Sequence, residues 1–339
     1  MKAAFLKAPY QFELRDVSLR EIREDEVLVK VKACGFCGHD NILASYAAKD
    51  WEPFGHEFSG IVEQAGKNVR NVAVGDCIVM ETSTFNPLAE CSLNGRVDYD
   101  QDGPSFMNEK QASMGFAEYV IVPAILCVRY DGLTFEEASV IEPLGVAVDL
   151  ILTADIHLND DVLVLGLGPI GLMALQMAKA SGARKIYAAD FSQNVRRCEL
   201  AKQFGADEII HTDKVKLEDY PYARGGVDRV LVSAPPKTIG SAVNVCNVGG
   251  MVAFLGISYG PEAIVSFDSN VAHLRKLTIK GSNAIPALYF PQCIDMLKAG
   301  LVRTKPLISH VFPLKDTVSA LAEYRADATN AIKAVMVNK

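Results

Sequence analysis

Two short stretches carry side chains of the kinds that hold a divalent cation. Cys37-Gly38-His39-Asp40 is followed by Gly55-His56-Glu57, with His56 nineteen residues after Cys37. A thiolate, an imidazole and a carboxylate are the ligand types that zinc takes. Glycines at 35, 38, 55 and 60 would let the backbone bend closely around an ion. A further carboxylate stands far downstream in Ile141-Glu142-Pro143-Leu144. A second pattern, Gly166-Leu167-Gly168-Pro169-Ile170-Gly171, follows an aliphatic run and opens a helical one, with Asp190 some 20 residues on. Gly166 permits a tight turn, Gly168 lets the backbone approach a pyrophosphate, and Gly171 lets helix and strand pack closely. The helix entered through Pro169 and Ile170 would turn unpaired N–H groups toward the phosphates. Asp190 would accept from both adenosine ribose hydroxyls and repel a 2′-phosphate, which favours NAD; Arg196 and Arg197 keep NADP open as the lesser choice. A cation site beside a nicotinamide site describes hydride transfer. The plainer alternatives are a ligand-free glycine turn, a core histidine at 56 and a helix-capping acid at 142.

The bulk composition narrows the field. A chain of 339 residues exceeds one core of ordinary size, so two domains are expected. Half the residues are hydrophobic and 22% are charged, a globular balance. Net charge is −7 with no run of one sign, which argues against nucleic acid or an anionic membrane as partner. Pro9 and the acids after it leave no room for a signal h-region. The apolar run at 162–178 is broken by glycines and a proline, short of the roughly 20 clean residues of a membrane span. Eight scattered cysteines then read as reduced thiols, with the cytoplasm as the expected compartment. Cys34 and Cys37 form a single CxxC with no second one to complete a knuckle, and Cys34 reads as structural.

The positioning elements follow from periodicity and turn residues. Residues 1 to about 80 read as short strands of a small barrel-like domain. Residues 81–114 are polar and irregular, a lobe or functional loop, and 115–122 return to strand. Thr134 followed by Glu137 is a capping box, and a helix carrying Val146, Val148, Leu150 and Ile151 leads out. From 161 the texture alternates. Strands are expected at 162–165, 185–189, 208–210, 227–232 and 251–255, with 276–280 a candidate sixth, and helices at 172–180, 195–204 and 238–246. This order predicts right-handed βαβ units and a parallel sheet. Helices at 289–299 and 316–325 and a strand at 334–337 should pack back on the first domain. The predicted division is 1–148 with 284–339 for one unit and 149–283 for the nucleotide-binding one.

With both sites read, the chain resembles the medium-chain dehydrogenase/reductase superfamily, in particular its zinc-dependent alcohol and polyol dehydrogenases, over essentially its whole length. The similarity rests on Cys37-Gly38-x-Asp40, on Gly55-His56-Glu57-x-x-Gly60 with Gly66, and on Gly115-Phe116-Ala117-Glu118-Tyr119. It rests further on Glu142-Pro143-Leu144, on the Gly166 fingerprint and on Gly249-Gly250. The Glu-Pro-Leu element is most similar to the sorbitol, butanediol and threonine dehydrogenase branch. The resemblance implies an α/β chain with a GroES-like β-barrel catalytic domain and a Rossmann doubly wound parallel sheet. It implies one catalytic zinc held by Cys37 and His56, with Glu57 and Glu142 competing for the remaining position. A thiolate with both carboxylates would leave the ion at net −1, a poor Lewis acid.

Asp40 matches the family's acid that holds the zinc-binding imidazole in its tautomer. Relatives usually carry four cysteines where this chain has only Cys91, so no structural zinc is expected. His39 stands where a Ser or Thr usually passes the substrate proton to solvent, and is expected to take over that relay; the alternative is simple contact with cofactor or substrate. The implied reaction takes a hydride from a secondary alcohol (polyol, sugar alcohol or its phosphate, inositol-like ring) to NAD+, giving a ketone. L-Threonine stays open as substrate. The rivals are a zinc-free quinone or enoyl reductase and a non-enzymatic nucleotide-binding protein. Tyr46, Trp51, Phe54 and the 81–114 lobe are expected to shape the pocket. Relatives commonly form dimers or tetramers, so a homodimer or homotetramer is implied.

Overall fold

The computed structural model describes residues 1–107 and 111–339. The strands are β1 (Lys2–Lys7), β2 (Gln11–Asp16), β3 (Glu26–Gly35), β4 (Glu52–Pro53), β5 (Glu57–Ala65), β6 (Cys77–Met80), β7 (Tyr119–Pro123) and β8 (Cys127–Arg129). They continue as β9 (Asp161–Leu165), β10 (Lys185–Asp190), β11 (Glu208–His211), β12 (Val227–Val232), β13 (Cys246–Phe254), β14 (Thr278–Gly281), β15 (Ile308–Pro313) and β16 (Lys333–Val337).

The barrel is organised on β3. Val27, Val29, Val31 and Ala33 are buried while Leu28, Lys30 and Lys32 lie on the more open face, the period-two pattern of a half-covered strand. β5 runs antiparallel along one edge, and the other edge takes β7 against its first half and β16 against its second. Splitting one edge between two strands curls the sheet. It also brings the last strand of the chain beside the Cys34–Cys37 turn, since Cys34 and Gly35 pair with Met336 and Val335.

The second sheet is all parallel, in the order β11-β10-β9-β12-β13-β14. The order reverses between β9 and β12, so a crevice opens at their carboxyl ends, where such sheets bind ligands. β13 begins at Cys246, five residues before the expected 251, and 247–250 form a bulge that holds Gly249 at φ +77°. The candidate sixth strand forms at Thr278–Gly281. Helix Ile141–Ala154 joins the two sheets, packing on helices Pro169–Ala180 and Phe290–Lys298. Asp149 within it accepts from Ser282 Oγ at 2.5 Å and Tyr289 Oη at 3.3 Å, which fixes its rotation. No helix among the described residues is long and apolar enough to cross a membrane.

Beyond β6 the chain enters the lobe, which is tied by the buried Asp100 carboxylate accepting from the N–H groups of Asn86 and Asp102. Glu81, at its start, is 8% exposed and faces no cation among the described residues. Burial pushes its carboxyl up to about 8. The folded chain keeps a proton there that the unfolded chain releases near 4.5, so stability falls as pH rises between 4.5 and about 8 and levels off above. Glu81→Gln should therefore stabilise the protein at about pH 8.5, by on the order of 2 kcal/mol, and change little at about pH 5. Thermal melts of both proteins at the two pH values check this; an equal shift at both would contradict it.

Candidate functional site

Cys37 is the N-cap of the short helix Gly38–Ile42, and a reciprocal pair of bonds fixes it there. The His39 N–H donates to Cys37 Sγ at 3.4 Å and the Cys37 N–H donates to Asp40 Oδ2 at 3.1 Å. The thiol is thus aimed by the backbone that follows it. His56 and Glu57 arrive at the start of β5, after Gly55 at φ +92°, a conformation that other residues rarely adopt. A Cβ at Gly55 would stand 2.5 Å from the Phe116 ring. The outcome is that one ligand atom each from Cys37, His56 and Glu57 lies within 4.8 Å of the others.

This cluster fits a cation. Burial, then the Glu57 and Asp40 carboxylates, push the Cys37 thiol well above its ordinary range, and a cation at the cluster's centre would offset that push. His56 Nδ1 is buried with no hydrogen-bond partner among the described residues. Asp40, 2% exposed, is the acid nearest that nitrogen, its Oδ1 lying 3.8 Å away. Thiol, imidazole and carboxylate suit zinc by type as well as by spacing.

Lys333 is the functional residue that sequence reasoning missed. From β16 its Nζ makes a direct ion pair with Glu57 Oε2 and donates to Phe36 O at 3.1 Å, and the residue is 2% exposed. Burial alone would lower this ammonium, but Glu57 and Cys37 beside it outweigh burial and hold it above its usual range. Gly35 makes the pair fit. A Cβ there would stand 2.4 Å from Glu57 Oε2 and 2.7 Å from Lys333 Cε. Glu142 enters in the first turn of helix Ile141–Ala154, outside the three-atom cluster. Burial pushes its carboxyl up to about 7; Glu57 adds to that push, while His56 and Lys333 oppose it.

The dinucleotide turn has the expected form. Gly166 stands at φ +96°, and a Cβ there would reach Ala234 N at 2.8 Å. A Cβ at Gly171 would meet Gly166 O at 1.9 Å, so helix and turn touch. At Gly168, the N-cap of helix Pro169–Ala180, a Cβ would meet nothing within 4 Å: the open side is where phosphates approach. Asp190 is clamped at the end of β10, accepting from Leu167 N at 3.0 Å and from Phe191 N and Asn194 Nδ2 at 2.7 Å each. Arg197 Nε donates to Ala331 O at 2.9 Å.

Both sites open into one cavity of about 580 Å³. Cys37, Glu57 and Pro143 line it on the metal side, and Gly168, Pro169, Ile170, Gly171 and Arg197 on the nucleotide side. Arg325, a second residue missed, lines it too and carries its guanidinium 3.1 Å from the centre of the Tyr10 ring. His39 Nε2 lies 2.9 Å from Tyr259 Oη. None of the three side chains expected at the pocket lines it: Tyr46 Oη accepts from the Tyr259 N–H instead. Phe54 is 1% exposed and stacks on Phe116 in the barrel core at 4.5 Å, and Trp51 packs under Arg15, at 4.9 Å, near β1. β4 pairs with β1 and draws that segment away from the cleft. Of Gly35, Gly38, Gly55 and Gly60, Gly35 makes room for the Glu57–Lys333 pair, and Gly60 makes room for Lys30 O across the β3–β5 pair.

Comparison with known proteins places these features. Residues 23–132 match the family described as alcohol dehydrogenase GroES-like domain, and residues 169–299 match zinc-binding dehydrogenase. The L-threonine 3-dehydrogenase of Bacillus velezensis is 34% identical over 316 residues, 89% of this chain and 89% of that one. The sorbitol dehydrogenase of Arabidopsis thaliana is 29% identical, over 99% of this chain and 94% of that one. A crystal structure from Escherichia coli CFT073, described as a short chain alcohol dehydrogenase complexed with NADH, superposes with a TM-score of 0.87 at 25% identity, covering 100% of this chain and 99% of that one. Likeness of this extent, spanning both sheets and the cleft between them, shows that the chain belongs to the zinc-binding medium-chain alcohol dehydrogenases, on the branch of the polyol and threonine enzymes, and is an NAD(P)-dependent oxidoreductase of alcohols.

Proposed function

We propose that the protein oxidises a secondary hydroxyl of a polyol, a sugar alcohol or its phosphate, or an inositol-like ring to the ketone, with NAD+ as hydride acceptor. The observation that carries this is the single cavity shared by the Cys37–His56–Glu57 cluster and the Gly168 turn. When bound, zinc would lower the pKa of the substrate hydroxyl and the nicotinamide would accept the hydride.

The chain's own residues do the placing. Cys37 and His56 hold the metal with Glu57 in the cluster and Glu142 near it. Lys333 supplies the positive charge that lets thiolate and both carboxylates surround a divalent ion without a net negative centre. Asp40, 3.8 Å from His56 Nδ1, places a negative charge behind the ring that would favour the imidazole's metal-binding orientation. The N-terminus of helix Pro169–Ala180 receives the pyrophosphate, and Asp190 receives the adenosine ribose.

A second reading is oxidation of L-threonine, itself a secondary alcohol, supported by the threonine 3-dehydrogenase at 34% identity. A zinc-free quinone or enoyl reductase has no use for the assembled thiol–imidazole–carboxylate cluster. Elemental analysis of the purified protein with an NAD+ reduction screen over polyols, sugar phosphates and amino alcohols is the test. Zinc at about one ion per chain with turnover of a polyol is the expected result; turnover of no secondary alcohol would overturn the reading.

Cofactor choice has its own check. Three donors aimed at Asp190 hold its carboxylate in place. Asp190→Ser removes a charged acceptor for ribose hydroxyls, so kcat/KM for NAD+ should fall by about 10–100-fold while that for NADP+ changes far less. Equal losses with both cofactors would count against the assignment.

A further inference from the structure

The two halves of the molecule are tied across the cleft at both ends. At the adenosine end, Arg196 N–H donates to Thr329 O at 3.0 Å and Arg197 Nε donates to Ala331 O at 2.9 Å. At the metal end, the tie is made by one residue that the sequence reading passed over. Tyr259 lies between β13 and β14, in the nucleotide-binding half. Its hydroxyl is hydrogen-bonded at 2.9 Å to His39 Nε2, the direction of the bond being set by the imidazole tautomer. Its own N–H donates to Tyr46 Oη at 3.1 Å. His39 and Tyr46 both belong to the barrel, in helix Gly38–Ile42 and in the turn Leu43–Ala47 that continues it. The His39 ring centre lies 6.2 Å from that of His56, so this tie sits directly beside the metal cluster.

Much of this segment is exposed. Tyr259 is 44% exposed and Tyr46 48%, and Ile257, Ile264 and Phe267 around them are exposed as well. Beyond β13 only the single turn Gly260–Ala263 is regular before helix Ser269–Leu274. Val265 packs on the core of the parallel sheet and the turn lies against Pro236–Thr238, so the loop belongs to its own half, and the two polar bonds join it to the barrel. Each alone is modest in water. Both break in the same event, however, because any movement of the nucleotide-binding half away from the barrel separates Tyr259 from His39 and from Tyr46 together.

We propose that Tyr259 is a positioning residue that latches the nucleotide-binding half to the metal-bearing turn, with Tyr46 as its seat, so that the cleft stays closed over the reactive end of the bound dinucleotide. The inference rests on the function proposed above only in taking a nicotinamide as the group beneath the loop. It requires that release of cofactor be preceded by rupture of these two bonds.

The test uses the full-length, zinc-loaded protein with NADH as probe and needs no alcohol. NADH release is followed by fluorescence during displacement by excess NAD+, for the wild type, Tyr259→Phe and Tyr46→Phe. Each variant should release NADH about three- to tenfold faster with association unchanged, and both together by less than the product of the two. A substitution that merely loosened the protein would also lower the melting temperature, which should stay put for these exposed positions. Amide hydrogen exchange without cofactor reads the seat alone: the Tyr259 N–H should exchange about three- to tenfold faster in Tyr46→Phe. NADH release within about twofold of wild type in both variants, or unchanged exchange at Tyr259, overturns the latch. A wild type that binds NADH but oxidises no secondary alcohol overturns the proposed function and leaves this comparison standing.

Discussion

Cys37→Ser and His56→Ala are each expected to strip the protein of most of its tightly held zinc and to lower NAD+-dependent alcohol oxidation by at least about 10³-fold. The size follows from the number of donors. The cluster offers a single thiol and a single imidazole, and losing either leaves a pair that cannot close a zinc site. Neither substitution should prevent folding, because Cys37 lies at the surface of the cleft and a serine at an N-cap retains the bond from the His39 N–H. Elemental analysis gives the metal content independently of turnover. Wild-type zinc content in both variants would refute the site. Glu142→Gln separates the two carboxylates: burial already drives Glu142 toward its neutral form, so the fold loses little, and any fall in zinc content reports ligation by that residue.

The second large effect is on stability. Lys333→Met should lower the stability of the metal-free protein by about 3–5 kcal/mol, because it leaves the Glu57 carboxylate buried with no counter-charge. The expected drop in melting temperature is roughly 5–10 °C for a chain of this size. A lost contact of ordinary worth would cost far less; the penalty is that of an unpaired charge away from water. The control is Lys333→Met combined with Glu57→Gln, which removes both charges and should recover a large part of the loss. Non-additivity of that kind is the signature of a direct pair. Lys333→Arg keeps the charge and should fall between. If the double variant is as unstable as the sum of the singles, the pair is not what the lysine is for.

The parts that were legible in the sequence are those written locally. The Gly166–Gly171 turn, Asp190 at the end of its strand and the Cys37 and His56 positions are each set by backbone within a few residues, and the structure puts them in one cavity or against it. Lys333 was not legible as a partner of Glu57, since its pairing depends on β16 lying against β3. A signal was present nonetheless. Lys333 interrupts an apolar run from Ala331 to Met336 in which every residue is buried, and a lysine in such a strand needs an anion. Tyr259 gave no such sign: Gly260-Pro261 marks a turn after it, but nothing local says which element that turn meets. Trp51 and Phe54 were expected at the pocket because they precede His56, but nearness along the chain does not survive the pairing of β4 with β1. The early start of β13 was hidden by Gly249-Gly250, which read as a break and serve as a bulge.

The distance along the chain between Glu57 and Lys333 has a bearing on how the protein is made. The two are 276 residues apart, so the ion pair closes only once β16 has been synthesised and has docked on β3. Until then the barrel carries an unpaired acid at its heart and an open stretch of edge on β3. Neutralising the centre and finishing the sheet are the same step.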